Sequence, residues 1–186
     1  MIEDYKNFLA EVLIDREELQ KRIAALGAEI SRDYKDKDLL LVCILRGGVF
    51  FTVDLMKKID IPHMVEFMAI SSYGMGARET SGDVRITLDL QINIRDRHVL
   101  LVEDIIDSGH TLTSVIERLS VQHPASLEVC TLLDKADRRE VDVPIKYRGF
   151  NIEDKFVFGY GLDIDEYFRG LPFVGVVDLD KYEPED

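Results

Sequence analysis

In Val99-Leu100-Leu101-Val102-Glu103-Asp104-Ile105-Ile106-Asp107-Ser108-Gly109-His110-Thr111-Leu112, an apolar run ends in two adjacent carboxylates. A third acid lies three residues on, and small and hydroxylated residues stand where a helix should begin. Four consecutive apolar residues without alternation predict a strand covered on both faces, the pattern of a parallel sheet between helices. Leu112, Val115, Ile116 and Leu119 then repeat at helical spacing. Open α/β sheets bind ligands beyond the carboxyl ends of their strands, so the acids and the turn stand where a ligand belongs. Helix-terminal amides with the Ser108 and Thr111 hydroxyls suit a phosphate group. Glu103 and Asp104 suit ribose hydroxyls, reached directly or through magnesium, a hard cation that prefers oxygen ligands. Both the spacing and the missing lysine exclude the nucleoside-triphosphate loop G-x-x-x-x-G-K-[ST], and the G-x-G-x-x-G fingerprint is absent. The plainer alternative is a strand end with solvated acids and a capping turn.

On either side the same alternation continues. Leu39 to Leu45 is a second continuous apolar run, broken by Arg46-Gly47-Gly48, and Val49 to Ile59 reads as a helix. His63 to Ile70 reads as a strand. Ser71 to Asp83, with three glycines and no periodicity, is expected to be a mobile loop. Val84 to Leu90 returns as a strand beside the main sheet, and Leu127 to Leu133 is a further strand. Short strands are expected around Phe156–Phe158 and Phe173–Val177. Near the start, Asp15 and Glu18 form a capping box ahead of a stripe of Leu19, Ile23, Leu26 and Ile30. Alternating strands and helices define an α/β chain.

A chain of 186 residues fits one domain, given the usual size of about 100–200 residues. Its net charge of −13 opposes binding to nucleic acid, whose affinity comes from cationic neutralisation of phosphates. A small anion remains compatible with it, held by amides, a few cations and a metal. No apolar run approaches the roughly 20 residues of a membrane-spanning helix. The acidic N-terminus lacks a signal core. Cys43 and Cys130 lie inside apolar runs as buried thiols, so the expected location is cytoplasmic.

The four apolar residues, two acids, two apolar residues, aspartate and small-residue loop resemble the defining segment of the phosphoribosyltransferase family. From about Leu39 to Val177 the chain is most similar to the hypoxanthine–guanine branch. That resemblance implies a type I phosphoribosyltransferase fold, a mainly parallel twisted sheet flanked by helices, with a small hood. The whole chain would then be one domain. Its core would run from about 35 to 150, the hood would comprise N-terminal residues and about 151–186, and a lid would cover about 71–83. The implied activity is purine salvage, the transfer of a 5-phosphoribosyl group from phosphoribosyl pyrophosphate to hypoxanthine or guanine with Mg²⁺ as cofactor. A homodimer or homotetramer is implied as well.

Residue by residue, the same resemblance makes Glu103, Asp104, Asp107, Ser108, Gly109, His110 and Thr111 the ribose-phosphate site. Arg46-Gly47 and Arg169 would bind pyrophosphate, with a cis peptide between Leu45 and Arg46. Lys135 would donate to the purine 6-oxo group, Phe156 would stack on the base, and Val157 would offer backbone groups to its edge. Asp163 would serve the metal and base side, with Glu103 and Asp104 completing the metal ligands. Ser72-Tyr73 would open the lid, which excludes water from the reacting centre. Asp107 would be the general base. The phosphate loop departs from some relatives at His110, where they carry lysine, and its backbone amide is expected to be the essential contact. Two other classes are disfavoured. A nucleic-acid regulator sharing the acidic loop needs a basic face, and a signalling receiver lacks the Ser-Gly-His-Thr loop and the Asp163 and Arg169 pair.

Overall fold

A computed structural model of the chain describes residues 4–72 and 84–182. Its six-stranded sheet runs in the order β4-β3-β2-β5-β6-β7. The strands are β2 (Leu39–Leu45), β3 (His63–Ser72), β4 (Val84–Leu88), β5 (His98–Ile106), β6 (Ser126–Asp134) and β7 (Ile145–Asn151). All neighbouring pairs are parallel except the β3–β4 edge. A second, antiparallel sheet joins β1 (Leu9–Ile14), β9 (Val174–Val177) and β8 (Val157–Phe158).

Strand β2 shows why the sheet is covered twice. Its Leu39 and Leu41 pack with Leu19, Ile23, Leu26 and Ile30 of helix α1 (Arg16–Asp33) and with Phe51 and Leu55 of α2 (Val49–Met56). The alternating Leu40, Val42 and Ile44 join Leu112, Val115 and Leu119 of α3 (His110–Ser120) on the opposite face. Strand β5 divides in the same way, Leu100 and Val102 one way, Val99 and Leu101 the other. Each such side chain contributes about 1.5–3 kcal/mol of burial.

Several boundaries differ from expectation. Helix α2 ends at Met56 rather than Ile59: at Gly27 of α1 a Cβ would meet Lys58 at 2.5 Å, so the chain after α2 already lies against α1. Strand β5 continues through the acids to Ile106, held by β6 up to the pairing of Ile106 with Asp134. Ser71 and Ser72 extend β3 where a loop was expected; the remainder of that loop lies outside the described residues. Strands β1 and β7 have no counterpart in the sequence reading.

At the start of α1, the Asp15 carboxylate accepts the Glu18 amide at 2.9 Å, the forward half of the predicted box. Replacing Asp15 by alanine is expected to cost about 0.5–2 kcal/mol. A urea unfolding curve with an unmoved midpoint would show that this cap is dispensable.

Candidate active site

The carboxyl ends of β2, β5 and β6 form one edge of the sheet because the three strands are parallel neighbours. At the β5 end, Glu103 and Asp104 are partly buried, and the Asp104 carboxylate accepts the Ile105 amide at 2.9 Å. Burial, then the charge of Asp104, drives the Glu103 carboxyl well above its usual range. Burial also raises Asp104, opposed by hydrogen bonds from Glu103 and backbone amides and by the charge of Arg169. Two neighbouring acids that resist ionisation suit an added cation, which would reverse both shifts. At the β2 end the Leu45–Arg46 peptide is cis. Gly47 presses so closely on the acids that a Cβ there would lie 1.5 Å from Asp104 Oδ2.

The turn into α3 is shaped by Gly109, whose φ of +93° favours glycine. A Cβ there would also meet Val141 O and Val143 Cγ2 at 2.9 Å. The 139–143 segment braces this turn from behind, the amides of Glu140 and Val141 donating to Ser108 O at 3.0 and 3.2 Å. His110 Nε2 is 2.8 Å from Glu140 Oε2, so its ring is engaged by the brace. Asp107, Ser108, Gly109 and Thr111 line a cleft of about 170 Å³ that also reaches Glu103 and Ile70.

Beside this cleft, the β6 end presents Lys135, which is only 7% exposed. Its amide donates to Ile106 O at 3.0 Å, tying it to β5. Its ammonium lies 3.7 Å from Asp107 and 3.4 Å from Asp154. Arg138 closes the group, 3.1 Å from Asp154 and 3.8 Å from Asp107. Two acids and two cations therefore alternate in one group, which meets the cleft through Asp107. Beneath them the fully buried Asp134 is matched by Arg139 and, at 2.7 Å, by Arg148. Phe156 is 47% exposed, whereas Val157 and Phe158 are buried and pair with β9. Of this aromatic segment, then, Phe156 is the ring free to face a ligand.

The loop after β8 returns to the β2 end. Gly161, with φ +105°, approaches the Gly47 carbonyl so closely that a Cβ would stand 2.1 Å from it. Arg169 donates to Gly161 O at 2.9 Å and pairs with Asp163 at 2.8 Å. Arg46 reaches across to Glu166 at 2.8 Å, and Arg169 meets the same carboxylate at 3.1 Å. The loop is anchored on α1 and α2 by Asp54, which accepts from Tyr160 at 2.7 Å and Gln20 at 2.8 Å.

The predicted residues thus gather in two neighbouring places. Glu103, Asp104, Asp107, the 108–111 turn and Lys135 meet at the β5 and β6 ends. Arg46, Gly47, Asp163 and Arg169 meet at the β2 end. Among the described residues no three potential metal ligands form one cluster, so Glu103, Asp104 and Asp163 do not converge as one set. Ser72 ends β3, and Tyr73 lies outside the described residues. Asp134, Arg138, Asp154 and Glu166 were not expected at the site. Only Asp134, at a strand end beside Lys135, carried a usable signal; the others reside in charged, aperiodic segments.

A doubly covered, mainly parallel sheet with acids, a glycine-cornered helix start and two arginines sharing Glu166 at its carboxyl edge defines an open α/β domain of the kind that binds ligands at that edge. The model of the phosphoribosyl transferase domain matches residues 13–165. The hypoxanthine phosphoribosyltransferase of Salmonella typhimurium is 51% identical over 171 residues, covering 91% of this chain and 96% of that protein. The hypoxanthine-guanine phosphoribosyltransferase of Mycobacterium avium is 47% identical over 185 residues, covering 96% and 91%. A crystal structure of a hypoxanthine phosphoribosyltransferase from Staphylococcus aureus superposes with a TM-score of 0.92 at 43% identity, covering 96% and 97%. The chain belongs to the phosphoribosyl transferase domain family.

Proposed function

We propose that the chain transfers the 5-phosphoribosyl group of phosphoribosyl pyrophosphate to hypoxanthine or guanine, releasing pyrophosphate, with Mg²⁺ as cofactor. The observation that carries this reading is the near-buried Lys135 ammonium 3.7 Å from Asp107. A cation there donates to a 6-oxo group and finds no acceptor on a 6-amino purine, so it selects the base. The adjacent carboxylate is close enough to take the proton that the attacking purine loses. Phe156 offers the base a stacking face and Val157 its backbone groups, beneath a hood made by the three-stranded sheet.

The 108–111 turn holds the 5-phosphate on amides and hydroxyls. Glu103 and Asp104 take the ribose hydroxyls and would hold a magnesium ion, with Asp163 serving a second position. Magnesium, when bound, supplies charge neutralisation for pyrophosphate. Arg46, the Gly47 amide and Arg169 grip the departing pyrophosphate, and a planar guanidinium matches its oxygens. A lid opening at Ser72-Tyr73 would exclude water. Exposed apolar side chains on α2 and β3, among them Phe50, Val53, Met64 and Phe67, support assembly as a homodimer or homotetramer. Buried free thiols fit a cytoplasmic setting.

The test is pyrophosphate release from phosphoribosyl pyrophosphate and magnesium with hypoxanthine, guanine, xanthine, adenine or uracil. Turnover confined to the 6-oxopurines is expected. Turnover with adenine at a comparable rate, or with no base at all, would overturn the assignment.

A further inference from the structure

The arrangement at the β2 end contains an anion where a substrate anion belongs. Glu166 spreads its two carboxylate oxygens over two different arginines, Oε1 on Arg46 at 2.8 Å and Oε2 on Arg169 at 3.1 Å. We propose that Glu166 is a built-in competitor for the pyrophosphate group, bridging Arg46 and Arg169 and yielding them when the substrate arrives. This rests on the function proposed above, which makes those arginines the pyrophosphate grip.

Three observations point to a displaceable contact rather than a structural one. First, the side chains of Arg46 and Glu166 are 68% and 57% exposed, so their pairing is screened and worth at most about 1 kcal/mol. The carboxylate can therefore turn to solvent at small cost. Second, Arg169 keeps its place without Glu166, because it also donates to Gly161 O at 2.9 Å and pairs with Asp163 at 2.8 Å. Its backbone carbonyl accepts the Gly161 amide at 2.8 Å as well. Third, the backbone at Glu166 has φ +69°, a region that suits glycine better than glutamate. The Glu166 amide is held there by Asp163 Oδ2 at 2.9 Å. A glutamate in a backbone position that favours glycine, with its side chain in solvent, contributes nothing to the core. Its carboxylate instead separates two like charges that repel when no anion lies between them. Pyrophosphate carries more charge than one carboxylate and can satisfy both guanidiniums at once.

The prediction has a sign that a supporting role would not produce. In Glu166→Gln and Glu166→Ala the competitor is gone, so pyrophosphate should bind about two- to fivefold tighter, the range of a screened ion pair. Titration calorimetry with magnesium pyrophosphate reads this directly. The KM for phosphoribosyl pyrophosphate should fall in parallel while the KM for hypoxanthine stays within twofold. Wild-type binding with unchanged or weaker affinity in both variants would overturn the role of Glu166 alone. Absence of pyrophosphate binding in all three proteins would overturn the assignment of Arg46 and Arg169 along with it.

Discussion

Replacing Asp107 by alanine is expected to lower kcat with hypoxanthine by about 10²–10⁴-fold, the usual weight of a general base. Asp107 lies on the exposed rim of the cleft, 3.7 Å from the Lys135 ammonium and 3.8 Å from Arg138. Its two oxygens thus meet different cations. Lys135 retains Asp154 at 3.4 Å when Asp107 is removed, so the lysine should keep its position and base binding should largely survive. The loss should therefore fall on kcat much more than on the KM for hypoxanthine. Steady-state kinetics with both substrates varied separates the two. A variant that keeps more than a tenth of wild-type kcat would move the proton-accepting role elsewhere, and a loss confined to KM would make Asp107 a binding residue.

Gly47→Ala should be nearly as damaging, for a steric reason. The new Cβ would fall 1.5 Å from Asp104 Oδ2 and 2.5 Å from its carboxyl carbon, far inside any real contact. Either the Asp104 carboxylate leaves its place or the turn after β2 retreats. Both displace the ribose and pyrophosphate contacts proposed for these residues by about an ångström, enough to cost about 10²-fold in kcat/KM for phosphoribosyl pyrophosphate. Gly161 resists the second route, since it lies against the Gly47 carbonyl. Gly170→Ala is the control: a Cβ there meets nothing within 4 Å, and its kinetics should match wild type. Equal kcat/KM in wild type and Gly47→Ala would show that the turn adjusts freely and that its close approach is unimportant.

Much of this site was legible before any coordinates because its main parts are local. Glu103, Asp104, Asp107 and the 108–111 turn are consecutive, and an apolar run before them with helical periodicity after them is enough to place a strand, a ligand edge and a helix start. Lys135 and Arg46-Gly47 follow by the same logic, each at the end of a continuous apolar strand. The misses have a common cause. Strand β7 alternates over Ile145 to Arg148, with Lys146 and Arg148 exposed, but Gly149 interrupts the pattern after four residues, too short a run to announce a strand. Gly149 is there because β7 packs against β6, where a Cβ would meet Leu132 O at 2.3 Å. Strand β1 alternates weakly and acquires its identity only from pairing with β9, over 150 residues away.

By itself, then, the sequence determined the doubly covered sheet, the acidic strand end and the turn into α3, since these depend on residue type and on spacings of a few residues. Tertiary structure alone decided which charges meet. Glu166 stands 120 residues from Arg46 and Asp154 stands 19 from Lys135, each in a polar segment with no periodicity. Such pairs form because parallel strands end side by side and the glycines at 47 and 161 let two backbones touch, and contact across a fold leaves no periodic trace in the chain.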